Sequence, residues 1–301
     1  MDTVVITGAS SGIGEALAEQ FARGGYNLVL VARSEEKLHQ LAQRLEAKTG
    51  VKAWVESADL SRRGAARKLA ARLGRQQIEV GILVNCAGVL EHGSFIEQPA
   101  TVHRGMIDLN VSGLTDMLSH FLPAMVARGQ GRLLNVASIA AFQPVPSLAT
   151  YAATKAHVLS LTESLAEELV GTGVTITALC PGITATNMVA RAQEKSAGLK
   201  LPGFVVGDVE NIAAQGYHAC LKGEVISVPG TVNRVATLTG RATPKWLLRR
   251  ISGVMGVANL PNRGSLPVNR GWPVQSPGCP PPSVWIRVCI QARGEPGRVV
   301  R

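Results

Sequence analysis

Short β-branched apolar runs alternate with longer amphipathic stretches from the third residue to about residue 228. The uninterrupted apolar runs predict strands at 3–7, 27–31, 51–57, 81–85, 131–136, 173–179 and 224–228. Stretches with a helical period predict helices at 13–24, 35–48, 62–74, 100–128, 149–171, 186–197 and 208–221. Val4-Val5-Ile6 and Leu28-Val29-Leu30-Val31 have no polar alternation, as expected of strands covered on both faces. The predicted architecture is therefore α/β: one doubly wound domain, with a seven-stranded, mostly parallel sheet between two layers of helices.

Past Val228 the pattern changes. Residues 231–257 predict two short helices broken at Pro244, with Arg234, Arg241, Lys245, Arg249 and Arg250 set among apolar residues. From residue 258 the period is lost, and the last 44 residues hold eight of the 16 prolines, six arginines and one acid. That composition predicts a flexible tail. Three segments result: a main domain over 1–230, a basic helical extension over 231–257 and a Pro/Arg-rich tail over 258–301.

Charge follows the same division. The net charge is +10, yet residues 1–224 hold 20 Lys/Arg and 20 Asp/Glu, while residues 225–301 hold 11 Lys/Arg against Glu295 alone. A nucleic-acid reading of the basic balance thus concerns only the last quarter, and no specific nucleic acid is expected. The basic helices could lie on an anionic membrane surface as a peripheral contact, cap the site or join subunits, or simply be solvated. No apolar run reaches the ~20 residues of a membrane span. The strand-like run from Val4 leaves no room for a signal peptide, and five dispersed cysteines without CxxC spacing fit a reducing cytoplasm and no metal site.

The first predicted strand runs into Thr7-Gly8-Ala9-Ser10-Ser11-Gly12-Ile13-Gly14 and then a helix. Glycines at such a turn let a pyrophosphate approach the free N–H groups of the helix N-terminus. About 20 residues further on, where an acid would accept a ribose 2′-OH, the chain has Ala32-Arg33-Ser34. Arg33 reads either as the partner of a 2′-phosphate or as a solvated surface residue; the first favours NADP(H) over NAD(H). Glu35 and Glu36 read as first-turn acids of a helix capped by Ser34.

These residues, with Asp59-Leu60, Asn85-Cys86-Ala87-Gly88, Asn110, Ser138, Tyr151-x-x-x-Lys155 and Pro181-Gly182 in that order, resemble the short-chain dehydrogenase/reductase family in its NADP-type branch. The resemblance covers about residues 1–230 and implies a Rossmann-type fold; Cys86 departs from the family's usual Asn. Tyr151 and Lys155, four apart, share a helix face, where the ammonium is expected to lower the phenol's pKa. Tyr151 then serves as general acid or base, and Ser138, after strand 5, stabilises the substrate oxygen.

The resemblance further implies that Lys155 holds the nicotinamide ribose and Asn110 a water linking Lys155 to solvent. By the same resemblance Asp59 and Leu60 contact adenine, Asn85, Ala87 and Gly88 form the wall behind the cofactor, and Pro181, Gly182 and Thr184 meet nicotinamide. Gly8, Ser10, Ser11, Gly12, Ile13 and Gly14 hold the pyrophosphate. Asn135, one strand position out of phase, is left structural. Ile139, Ala140, Phe142 and Met188 are expected to contact substrate, and their apolarity points to a ketone, a 3-oxoacyl compound or a secondary alcohol. The enzyme is expected to be a homodimer or homotetramer. The alternative is a catalytically silent NADP(H)-binding sensor of the same fold.

Overall fold

The computed structural model describes residues 2–182 and 207–230, together with positions 233, 234 and 237. All lie within a unit spanning Met1–Leu260. Seven strands, β1 (Thr3–Thr7), β2 (Asn27–Ala32), β3 (Ala53–Ser57), β4 (Val80–Asn85), β5 (Gly131–Val136), β6 (Val174–Leu179) and β7 (Ile226–Ser227), form one sheet in the order β3-β2-β1-β4-β5-β6-β7. Every pairing is parallel. The chain runs outward from β1 to β3, returns to β4 beside β1, and runs the other way, so the switch point lies between the carboxyl ends of β1 and β4. Ligands of such sheets bind there.

The uniformly apolar strands are fully covered because consecutive side chains enter different layers. Val5, Val29, Val31, Leu83 and Leu133 pack with residues of α3 (Ala65–Arg75), α5 (Leu114–Ala127) and α6 (Ala149–Glu168). Their neighbours Val4, Ile6, Leu28, Leu30, Ile82 and Val84 pack with α1 (Gly12–Arg23), α2 (Glu35–Thr49) and α7 (Val209–Lys222). A period of two thus sorts each strand between two cores. No helix among the described residues is long and apolar enough to cross a membrane.

The long helix expected at 100–128 is in fact α4 (Ala100–Ile107), a π-helical turn (Asp108–Gly113) and α5. A π turn inserts one residue without interrupting the apolar pattern, so periodicity does not reveal it. Gly113 is required at its end, because a Cβ there would lie 2.6 Å from the Leu60 carbonyl oxygen. The helix expected from 62 starts at Ala65, after Gly64 in the left-handed region (φ 77°). Ser34 takes the N-cap position of α2 but makes no side-chain cap bond. The expected helix 186–197 and tail 258–301 lie outside the described residues, as does the 231–257 extension except for Asn233, Arg234 and Thr237.

Candidate active site

The glycine-rich turn is built by close backbone approach. Gly8 has φ 71°, and a Cβ on it would lie 2.9 Å from Ala87 Cα. A Cβ on Gly14 would overlap the Gly8 carbonyl oxygen. The amides of Gly8 and Ala9 donate to Val31 O at 2.8 and 3.3 Å, folding the turn over the end of β2. Ser10, Ser11 and Gly12 complete the turn, while Ile13 packs into the α1–α2 core. Ser11 is the extended N-cap of α1 and makes no side-chain cap bond, so the first-turn N–H groups face out from the helix end toward any anion placed there. The turn therefore fits a pyrophosphate.

Thr7 opens the glycine-rich motif without a task of its own in the sequence, yet it joins the two sides of the switch point. Its Oγ1 donates to Val84 O and accepts the amides of Cys86 and Ala87, the latter two at 3.0 Å. Its place immediately before the first glycine is the one signal that could have found it. Ala87 and Gly88 consequently flank the turn, half-buried. Asn85 behaves differently: its amide lies within the sheet, donating to Asn135 Oδ1 at 2.9 Å. Asn135 in turn donates to Thr162 Oγ1 at 3.0 Å, which ties β4 through β5 to α6.

At the outer end, Arg33 is exposed directly after β2. Asp59 accepts bonds from the Ser61 hydroxyl (2.7 Å) and amide (3.1 Å), and Arg62 Nε lies 3.5 Å away. The Ser61 hydroxyl, its amide and the charges of Arg33 and Arg62 hold the Asp59 carboxyl below the usual range. Leu60 is buried beside Asp59. Arg33 and Asp59, brought together from two loops, form one charged rim.

The chemistry-bearing side chains sit past β5. Ser138 is the N-cap of a 3₁₀ turn (Ile139–Phe142), and its Oγ accepts the Ala140 amide at 3.2 Å. Tyr151 and Lys155 lie one turn apart on α6, both buried. Lys155 Nζ donates to Val136 O at 2.8 Å and stands 5.8 Å from the Tyr151 ring centroid. A Cβ on Gly88 would lie 3.2 Å from Asn110 Oδ1 and 3.5 Å from Lys155 Nζ, so the loop after β4, the π turn and α6 converge.

Asn110 occupies the π turn rather than the middle of an α-helix. Its Oδ1 accepts the Val89 amide at 2.9 Å, and its Nδ2 donates to Val89 O and Thr154 Oγ1 at 2.9 and 3.1 Å. Both amide donors are thus committed to protein atoms.

Burial, not the ammonium, controls the phenol. It pushes Tyr151 up to about 12, against a hydrogen bond from the Ser138 hydroxyl. This reverses the expected direction: removing the phenolate from water costs more than its neighbours return, and Lys155 aims at Val136 O. Burial also brings Lys155 down to about 8 and pushes the Cys86 thiol up to about 12.

The substrate-side expectations divide. Ala140 shares a buried cluster with Tyr151, Met106 and Ala152, against which Val89, Leu90, Val145 and Leu148 pack. Ile139 and Phe142 instead pack against the main core on the α6 face, because successive residues of the 3₁₀ turn point different ways. Pro181 follows β6 and its carbonyl accepts the Ile139 amide at 3.0 Å. A Cβ on Gly182 would lie 2.5 Å from Asn233 Nδ2. Thr184 and Met188 lie outside the described residues. Among the described residues no group of three His, Cys, Asp or Glu is arranged to hold a metal ion.

The pattern of the short chain dehydrogenase family matches residues 2–197. The very-long-chain 3-oxoacyl-CoA reductase of Mus musculus is 31% identical over 265 residues, covering 86% of this chain and 80% of that protein. The structure of a short-chain dehydrogenase from Sphingobium yanoikuyae in complex with NADPH is similar with a TM-score of 0.71 and 33% identity, covering 90% of this chain and all of that one. A bulky-bulky ketone specific alcohol dehydrogenase from Comamonas testosteroni is similar with a TM-score of 0.69 and 32% identity, over 85% of this chain and 94% of the other.

Proposed function

The chain belongs to the short-chain dehydrogenase/reductase family and is an oxidoreductase; from that premise we propose that it is an NADP(H)-dependent carbonyl reductase for apolar ketones or 3-oxoacyl compounds. The observation that carries this reading is the convergence of Ser138, Tyr151 and Lys155 beside a glycine cradle that side chains would fill. The bound nicotinamide supplies the hydride. Every other step falls to the chain itself.

Tyr151, held up at about 12, is fully protonated at neutral pH and delivers its proton to the substrate oxygen as negative charge develops there. Ser138 donates a hydrogen bond to the same oxygen. The Lys155 ammonium, fixed by Val136 O, stabilises the phenolate that Tyr151 leaves behind and binds the nicotinamide ribose. Asn110 holds Val89 and Thr154, which keeps the loop after β4 against the catalytic helix. Arg33 pairs with the 2′-phosphate, and Asp59 with Leu60 receives the adenine. Pro181 and Gly182 border the nicotinamide side.

The apolar cluster around Tyr151 and Ala140 favours a hydrophobic carbonyl compound. The names of the mouse relative and the Comamonas neighbour agree with that class, and the Sphingobium neighbour holds NADPH. The test is a panel of bulky ketones, 3-oxoacyl thioesters and polar sugars, followed by loss of NADPH or NADH absorbance. Turnover of the apolar members with NADPH is expected. Tight NADPH binding without turnover of any member would instead support the silent sensor.

A further inference from the structure

The loop between β4 and α4, residues 86–99, is long for a connection in a compact α/β domain, and it is pinned at three places. At its start Val89 is held through both backbone groups by Asn110. Further on, the Gly93 amide donates to Ser147 O at 2.9 Å. At its tip the Glu97 amide donates to Ser94 O at 3.1 Å, closing a turn that displays Phe95 and Ile96, 59% and 69% exposed. Loops of this length without regular structure are commonly functional.

The third pin is one side chain, His103 of α4. Its ring stacks on Phe95 with centroids 4.3 Å apart and planes at 25°. Its Nε2 lies 3.2 Å from Phe95 O, and its Nδ1 lies 2.8 Å from Thr150 Oγ1. A carbonyl only accepts, so Nε2 carries a proton and donates to Phe95 O; the hydroxyl of Thr150, which can donate or accept, pairs with Nδ1. One imidazole thereby joins the loop tip to the residue immediately before Tyr151. On the inner side of the same loop, Val89 and Leu90 pack against the cluster containing Tyr151, Ala140 and Met106 of α4, and so does Val102, the neighbour of His103. The loop therefore packs directly over the apolar cluster that holds Tyr151.

We propose that His103 is a positioning residue that latches this loop to the first turn of α6 and so sets the affinity for bulky apolar substrates. The proposal rests on the carbonyl-reductase reading above. His103 touches neither cofactor nor reacting atoms; it acts by keeping the Phe95–Ile96 tip in place. A substrate large enough to lean on the loop gains from a wall that is already ordered. A small ketone, which reaches Tyr151 without the loop, gains little.

The test uses the full chain and four proteins: parent, His103→Ala, Thr150→Val and Thr150→Ser. Each is assayed with a bulky diaryl ketone and with a small aliphatic ketone, and NADPH dissociation is measured by fluorescence. Hydrogen exchange of residues 86–99 is followed in parallel. His103→Ala is expected to raise KM for the diaryl ketone about three- to tenfold, as loss of one or two neutral hydrogen bonds does. Its kcat, its KM for the small ketone and its NADPH dissociation constant should stay within about twofold of the parent. Thr150→Val should follow in the same direction, and Thr150→Ser, which keeps the hydroxyl, should match the parent. Loop exchange should quicken in His103→Ala and Thr150→Val.

Equal changes in KM for both ketones, or unchanged loop exchange in His103→Ala, would overturn the latch. If the parent reduces neither ketone, the carbonyl-reductase reading fails. Loop exchange alone then decides the latch, faster exchange in His103→Ala and Thr150→Val upholding it and unchanged exchange overturning it.

Discussion

The turn after β1 and the ground around α6 solve different problems with different materials. The turn is made of backbone: Gly8, Gly12 and Gly14 contribute by having no side chain, and the groups it presents are amides that never titrate. The α6 side is made of buried side chains, and burial has displaced two of them, the phenol upward to about 12 and the ammonium downward to about 8. A backbone cradle fails when something is added to it, whereas a buried ionisable pair fails when something is removed or when the pH changes. The amides of the first keep one state at every pH; in the second, burial makes the charged forms costly, holding the proton on the phenol and loosening it from the ammonium.

The sharpest way to break that contrast is at Tyr151. Tyr151→Phe removes the proton donor and almost no volume, so ketone reduction should fall about 10²–10⁴-fold in kcat/KM. NADPH binding, measured by fluorescence, should be nearly unchanged. If activity stays within about tenfold of the parent, Tyr151 is not the acid.

Two substitutions on the other side should leave chemistry intact and alter cofactor binding, each with its own signature. Under the proposed pairing of Arg33 with the 2′-phosphate, a charge-assisted contact worth roughly 1.5–3 kcal/mol, Arg33→Ala should lower NADPH affinity about 10- to 150-fold with little change for NADH. Equal losses would mean that the phosphate is read elsewhere. Gly8→Ala places a methyl group 2.9 Å from Ala87 Cα at φ 71°. The strain, on the order of 1–3 kcal/mol, should weaken NADPH and NADH alike. Titration calorimetry of both cofactors with both variants separates charge recognition from backbone shape.

The smallest effect concerns Lys155. Its folded value is about 8, whereas an unfolded lysine titrates near ~10.4. Between those values the unfolded chain binds the extra proton, so raising the pH favours the folded state. Below about 8 both states are charged and the folded one bears the cost of burying the ammonium. Lys155→Met carries no such cost, so the parent should gain melting temperature relative to the variant, by a few degrees, as the pH rises from about 7.5 to 10. Parallel pH curves would show that burial does not displace Lys155.

Much of this was legible because it is local. Uninterrupted runs such as Leu28–Val31 could only be doubly covered strands. The Thr7–Gly14 segment specifies its own turn, and the four-residue spacing of Tyr151 and Lys155 is fixed by the helix that carries them. These features depend on neighbours within one or two turns of chain, and a sequence states such neighbours directly. The π turn at Asp108–Gly113, the commitment of Asn110 to Val89 and Thr154, and the separation of Ala140 from Ile139 and Phe142 were decided elsewhere. So was the direction of the Tyr151 shift, for which proximity to a lysine was the visible clue and burial the larger cause. Contacts of that kind join residues tens of positions apart, and desolvation sums over every group that packs around a site. The order of residues along the chain was enough for the sheet, the glycine turn and the helical pairing of Tyr151 with Lys155; the surroundings of those side chains came from the assembled fold, because burial is not a property of any one segment.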